Sequence, residues 1–302
     1  MSKARGLADL GNVYDDGALS NRSKIINGAM VIDQRNAGAV FTSTGLFYSL
    51  DRWLLQAVGA TNTAQQVTGS TGNNKAVLIT GNSGNTFTAY SQKIESWNIQ
   101  DVAGQPVTVS FTLSGSASGS VSVRQLYPTA TDNYTATTEP VSGTTVNFTT
   151  TPTRYTVTFT ADANANKGLW LVFDFGAVGA GVTRTLEEVQ LEAGDTATPF
   201  EHRSYGDELA RCQRYYYQDD TGSHFLRSFY SSITGDWYED YPLPVVMRAT
   251  PTWTSQLGGD SLRVSAVSIS GRTAKSGYVR FTVSSAGQGY CSLNKVTADA
   301  EL

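Results

Sequence analysis

Seven residues, Val107-Thr108-Val109-Ser110-Phe111-Thr112-Leu113, alternate apolar and hydroxyl side chains without a break. Successive side chains on a strand point to opposite faces, so this is the period of a half-buried β-strand and not that of a helix. The same pattern recurs along most of the chain. Ile25–Met30 and Val31–Ile32, Asp51–Gln56, Lys75–Ile79, Tyr90–Trp97, Val121–Leu126, Thr144–Phe148, Arg154–Thr160 and Thr183–Leu191 all read as short strands. Turn signals such as Gly81-Asn82-Ser83-Gly84-Asn85 stand between them. Leu169–Phe175 is apolar on both faces until Asp174, which predicts a central strand covered on both sides.

Many short strands without a helical run pack most economically as two sheets face to face. The expected fold is therefore all-β: a β-sandwich (jelly roll), then a short helix, then a second, smaller β-sandwich. Residues 24–203 form the first domain. Residues 204–218 change period, with Leu209, Cys212 and Tyr216 on one face and Asp207 and Glu208 ahead of them, which predicts a helical hinge. Residues 219–302 return to strands, including His224–Ser231, Asp236–Tyr241, Leu262–Ile269 and Tyr278–Val283. A domain that small buries little surface by itself and is expected to lean on neighbouring subunits. Residues 1–23, polar and rich in Gly, Asp and Asn, read as an arm that docks on a partner.

Composition narrows the function. Charged residues are 16% of the 302 and aromatics 11%, with a net charge of −4. That balance opposes disorder, which couples few aromatics to high net charge. No basic stripe exists for a phosphate backbone, so no nucleic-acid partner is expected. No apolar run reaches the ~18 residues of a membrane span, and no membrane insertion is expected. The first residues lack the apolar stretch of a signal peptide, so synthesis in a cytoplasm is expected. Cys212 and Cys291 form no Cys-x-x-Cys and are expected as reduced, buried thiols.

Several segments resemble structural proteins of tailed bacteriophages. They are Gly6–Val13 with Leu19–Arg22, Ile25–Met30 with Gln34-Arg35, and Met247–Pro251 with Ala298–Leu302. The most specific is Val189-Gln190-Leu191-Glu192-Ala193-Gly194, continuing through Ala197–Tyr205 to Glu208-Leu209-Ala210 and Cys212–Tyr216. In addition, Tyr90–Glu95 followed by Val107–Phe111 is similar to adjacent strands of carbohydrate-binding-module jelly rolls. The resemblance implies a virion protein, either a tail fibre or tip subunit or a capsid decoration or head fibre. It also implies a homotrimer whose N-terminal arm binds other virion proteins. The sequence lacks a large tail-anchoring domain and a shaft, so the point of attachment stays open between tail, baseplate and capsid.

No catalytic motif is present: no Gly-x-Ser-x-Gly elbow, no His-Glu-x-x-His, no P-loop. No cofactor and no metal ligand set is expected, and the chain reads as a non-enzyme. Glycoside hydrolysis needs only two carboxylates, and Asp174, Glu187, Glu188, Asp236, Glu239 and Asp240 leave a polysaccharide depolymerase as a further alternative. Glu201, His202 and Arg203 read as a structural charged cluster rather than a metal site. Binding has better candidates, because an aromatic ring with a polar tip suits a sugar. Asp236-Trp237-Tyr238-Glu239-Asp240-Tyr241 sets three aromatics among three acids after a turn. Its Asp236, Trp237, Tyr238, Asp240 and Tyr241 are the leading receptor contacts for a host surface polysaccharide. Trp53 and Trp97 are secondary candidates on predicted strands.

Overall fold

The computed structural model describes residues 22–72, 74–219, 224–258 and 261–302. The arm expected over residues 1–23 lies outside the described residues, apart from Arg22 and Ser23. The chain is all-β, a jelly-roll sandwich followed by one short helix and a smaller sandwich. It forms two compact units that part after Tyr205.

The first unit holds β1 (Phe41–Tyr48), β2 (Leu54–Thr68), β3 (Lys75–Thr80), β4 (Phe87–Ile94), β5 (Pro106–Gly115) and β6 (Gly119–Ala130). It continues with β7 (Asn133–Thr138), β8 (Thr144–Phe148), β9 (Thr153–Thr160), β10 (Leu169–Gly176) and β11 (Thr183–Ala193). One antiparallel ladder runs β7-β6-β10-β4-β2-β3-β11-β5-β9, with β1 beside β2 and β8 beside β6. The ladder curls at β2. Residues 54–58 of β2 pair with β4, whereas residues 63–68 pair with β3. One strand thus belongs to both layers, and the core lies between them. Phe173 of β10 meets Phe111 of β5 edge-on across that core, ring centres 4.9 Å apart.

The alternation of Val107–Leu113 is realised on β5. Val107, Val109, Phe111 and Leu113 are fully buried in the core. Thr108 and Ser110 on the other face are buried too, because neighbouring chain covers them. Thr108 Oγ1 donates to the Gly194 carbonyl at 2.8 Å, and Ser110 Oγ accepts from Arg154 at 2.7 Å.

Several expected boundaries move. Ile25–Ile32 is not a strand. Asn27 and Met30 take positive φ (58° and 56°), which breaks extension. The Asn27 side chain holds this turn by donating to the carbonyls of Ile32 (2.8 Å) and Asp51 (3.0 Å) and accepting from the Ile32 amide (2.9 Å). Asp51 and Arg52 form a turn before β2, with Arg52 at φ 69°. Strand β4 ends at Ile94, and Trp97 sits on a one-turn helix, Ser96–Ile99.

The second unit carries helix α1 (Tyr205–Gln213), shorter than the expected 204–218, since Tyr216 already belongs to a strand. Its strands are β12 (Tyr216–Asp219), β13 (His224–Ser231), β14 (Gly235–Pro242), β15 (Thr252–Leu257), β16 (Val264–Thr273), β17 (Ser276–Val283) and β18 (Gly287–Asp299). Strands β12 and β15 pair with the same stretch of β18, so they lie on its opposite flanks, and β13 continues the β12 flank. The second sheet is β14-β17-β16. Phe229, Cys291, Leu293 and Val296 of the first sheet pack against Phe281, Val283, Val279 and Ile269 of the second. Both cysteines are buried and neither is in a disulfide, and burial pushes the Cys291 thiol up to about 11.

One contact in the first unit tests this account. The register of β11 on β5 shifts between Glu187 and Gln190, a β-bulge with Glu188 at φ 51°. Gly28 rests on it: the Val189 amide donates to the Gly28 carbonyl at 3.0 Å, and a Cβ on Gly28 would come 2.1 Å from the Val189 oxygen. Neither partner is a flexible side-chain end. Gly28→Ala is therefore expected to cost about 1–3 kcal/mol or more. Urea unfolding followed by circular dichroism should show a lower midpoint at an unchanged slope.

Candidate functional site

Strand β14 carries the six residues Asp236–Tyr241, and alternation divides them between two faces. Trp237 and Tyr241 turn inward. Trp237 is half-buried and stacks on Phe229, ring centres 6.1 Å apart and planes 22° apart. Tyr241 is only 8% exposed and meets Trp253 edge-on at 5.9 Å. Its hydroxyl donates to the Asp219 carboxylate at 3.1 Å, and burial is the main cause of its raised pKa. These two leading candidates pack on the inner face of the second sandwich, Tyr241 buried and Trp237 partly so.

Asp236, Tyr238 and Asp240 point out of the sheet. Their cross-strand partners on β17 are Thr282, Arg280 and Tyr278, and β16 adds Arg272 beyond them. Tyr238 is 57% exposed, and its ring lies 5.8 Å from that of Tyr278 at a tilt of 52°. Two ion pairs frame the rings: Arg280 with Asp236 at 2.7 Å and Arg272 with Asp240 at 2.9 Å. The Arg272 guanidinium also lies over the Tyr278 ring, 5.7 Å from its centre. Tyr238, Glu239, Asp240, Arg272 and Tyr278 line a recess of about 310 Å³. The Asp236 carboxyl is held below the usual carboxylate range, first by a hydrogen bond from Thr282 (2.7 Å) and then by Arg280. Tyr278, Arg272 and Arg280 were absent from the sequence candidates. They join the face through strand register, which brings together residues more than thirty positions apart.

The first-unit candidates separate in the same way. Trp53 is fully buried, stacked on Tyr90 (5.3 Å, 7°), and its indole N–H donates to the Asn27 carbonyl at 2.9 Å. It is a core residue and not a ligand platform, because the strand expected at Asp51 begins only at Leu54. Trp97 is 77% exposed on its one-turn helix.

Glu201 and Arg203 form an ion pair at 3.4 Å with both side chains under 10% exposed, whereas His202 is exposed and lies edge-on to Phe200. Arg203 donates to the carbonyls of Ser23 (2.6 Å) and Ile25 (2.9 Å), and Glu201 accepts from the Ser23 amide (3.0 Å). Nearby, Glu192 accepts from the Thr198 amide (2.9 Å) and from Gln190 (3.0 Å). The motif Val189–Tyr205 is thus a clasp that ties residues 23–28 to β11. Among the described residues no group of His, Cys, Asp or Glu is arranged to hold a metal ion.

The carboxylates considered for hydrolysis are engaged with donors. Glu187 accepts from the Ser70 amide and Asn74, Asp174 from Arg124, and Glu188 lies 3.6 Å from Arg154.

The division of β14 between two faces has a measurable signature. Trp237→Ala should destabilise the second unit by about 2–3 kcal/mol. Tyr238→Ala should change stability by no more than about 0.5 kcal/mol. Chemical denaturation of the two variants separates these outcomes. The depressed Asp236 pKa means that its pair supports folding above the unfolded carboxyl range near ~3.9. That support is lost as pH falls through the lower folded value. A carbon-detected NMR titration should show the Asp236 pKa rising in Arg280→Ala, and an unmoved value would remove Arg280 as a cause.

No family model and no curated protein matches the chain. Among solved structures it is similar to the enzymatically active domain of tailspike protein 4 of bacteriophage CBA120. The likeness has 14% identity and a TM-score of 0.40, covering 57% of this chain and 22% of that one, so the chain spans about a fifth of the tailspike chain. It is similar to a family 4 carbohydrate-binding module at 20% identity and a TM-score of 0.37, over 56% of this chain and 98% of the module. It is also similar to the C-terminal family 22 carbohydrate-binding module of Clostridium thermocellum Xyn10B, at 13% identity and a TM-score of 0.36, over 51% and 97%.

Proposed function

We propose that this protein is a bacteriophage virion surface protein, a tail fibre or tip subunit, whose second unit contacts glycans on the host cell. The observation that carries the contact is the pair of tyrosine rings displayed on the outer face of β14-β17-β16. A tyrosine ring offers an apolar face to the C–H side of a sugar and a hydroxyl to its rim. The flanking carboxylates and guanidiniums can accept from and donate to sugar hydroxyls in charge-assisted hydrogen bonds. The virion assignment is supported by the phage-like motifs. Two of them, Ile25–Met30 and Val189–Tyr205, meet at one clasp in the first unit.

Binding without hydrolysis is the reading for this face. A general acid needs a carboxyl with a raised pKa, and Asp236 is shifted the other way. Asp240 is paired with a guanidinium. A shallow, exposed platform gives weak single-site affinity, and a homotrimer presented in several copies converts that into firm adhesion. In this reading the N-terminal arm joins the subunit to other virion proteins.

The test is adsorption of the purified full chain to host cells. Tyr238→Ala should weaken binding by about tenfold or more, while leaving the thermal melt in place. Equal adsorption by this variant would remove the face from the contact. Averaged cryo-electron microscopy of the virion checks the location. Copies projecting from the tail or baseplate fit the proposal, and copies spread over the capsid lattice overturn the tail assignment.

A further inference from the structure

We infer that Arg272 is a displaceable cover over Tyr278, and that the face it guards takes glycans of two or more consecutive pyranose rings, an inference that rests on the glycan contact proposed above. Two aromatic rings stand on this face, and they differ in access. Tyr238 is 57% exposed. Tyr278 is half-buried, with Tyr238 tilted against it and the Arg272 guanidinium over its ring, 5.7 Å from the centre.

Strand register brings Arg272 there without fixing it. The ladder of β16 on β17 slips between Gly271 and Thr273, so Arg272 is the unpaired residue of a β-bulge, a device that re-aims a side chain. Its side chain is 59% exposed, and among the described residues only the Asp240 carboxylate (2.9 Å) and the Tyr278 ring hold it. An ion pair this exposed is worth little, and so is an exposed contact between a cation and a ring. Either one alone shifts an equilibrium by about fivefold or less. A stacking sugar can therefore displace the guanidinium. Arg280, paired with Asp236, borders the same rings and stays to hydrogen-bond the sugar rim.

The two ring centres lie 5.8 Å apart, close to the advance of one sugar residue along a glycan chain. A single pyranose on Tyr238 leaves Arg272 in place. A second, linked pyranose falls on Tyr278 and must move Arg272 to stack there. Arg272 thus sets the cost of the second subsite, and with it the preference between longer and shorter chains.

NMR titration of the full chain with mono-, di- and tetrasaccharide fragments of the host surface polysaccharide tests this. Arg272→Ala should tighten di- and tetrasaccharide binding about fivefold relative to the monosaccharide. The double variant Arg272→Ala/Tyr278→Ala should lose that gain, and Tyr238→Ala should lose every fragment. The cover also has a readout without sugar, the photochemically induced polarisation of exposed tyrosine rings by a flavin dye. The Tyr278 signal, assigned by its loss in Tyr278→Phe, should grow in Arg272→Ala while the melting curve stays in place. An unchanged or lower preference for the longer fragments in Arg272→Ala, or an unchanged Tyr278 signal, would overturn the cover and leave the glycan contact standing. Fragments that do not bind through Tyr238, with or without Arg272, would overturn the glycan contact and the length preference with it.

Discussion

The first unit depends on a backbone-to-backbone approach between Gly28 and Val189. A bulge in β11 pushes the Val189 carbonyl into space that only a glycine leaves open. From there the order spreads by hydrogen bonds. Asn27, next in the chain, fixes its own turn and accepts the indole N–H of Trp53. Trp53 carries the connection into the core through its stack on Tyr90 and its contact with Phe173. Asp51, whose carbonyl accepts from Asn27, in turn accepts from the amide and side chain of Gln34. Residues 22–35, which add no strand to the sheet, thus lock the layers from one end. The Glu201–Arg203 pair secures the same segment from the other side. Breaking such a buried pair by removing one partner typically costs about 3–5 kcal/mol, because the remaining charge is stranded.

Much of this fold was legible because β-strands are written locally. Val107–Leu113 and Leu169–Phe175 declare their period within seven residues, and both are central strands in the structure. Strand β1 was missed because Phe41–Tyr48 carries Gly45 and several polar residues on an edge, where no apolar stripe is required. Ile25–Ile32 was misread for the opposite reason. Its isoleucines resemble a strand, while the deciding residues are Asn27 and Gly28, whose roles are fixed by partners far along the chain.

The candidate site shows the same limit from another side. Asp236–Tyr241 was read correctly as a strand, and its period already implied that Asp236, Tyr238 and Asp240 share one face and Trp237 and Tyr241 the other. Grouping Asp236, Trp237, Tyr238, Asp240 and Tyr241 as one contact surface sets that division aside. What no local pattern could supply was the other half of the face. Tyr278, Arg280 and Arg272 arrive there through two ladders, β14 on β17 starting from Pro242–Ser276 and β16 on β17 starting from Thr273–Ser276. Composition fixed the chemistry available to the second unit, and register decided which groups could act together.

Strand β2 carries a mechanical consequence. Its first half is bonded into one layer and its second half into the other, so along that flank the layers are a single folded ribbon. On the opposite flank β8 pairs with β6 and β9 pairs with β5, joined to each other by the connection 149–152 with no ladder between them. A pull that tries to peel the layers apart therefore meets unequal resistance. The β2 flank yields only by tearing out a row of hydrogen bonds together, whereas the β8–β9 flank can gape first, like a book opening away from its spine.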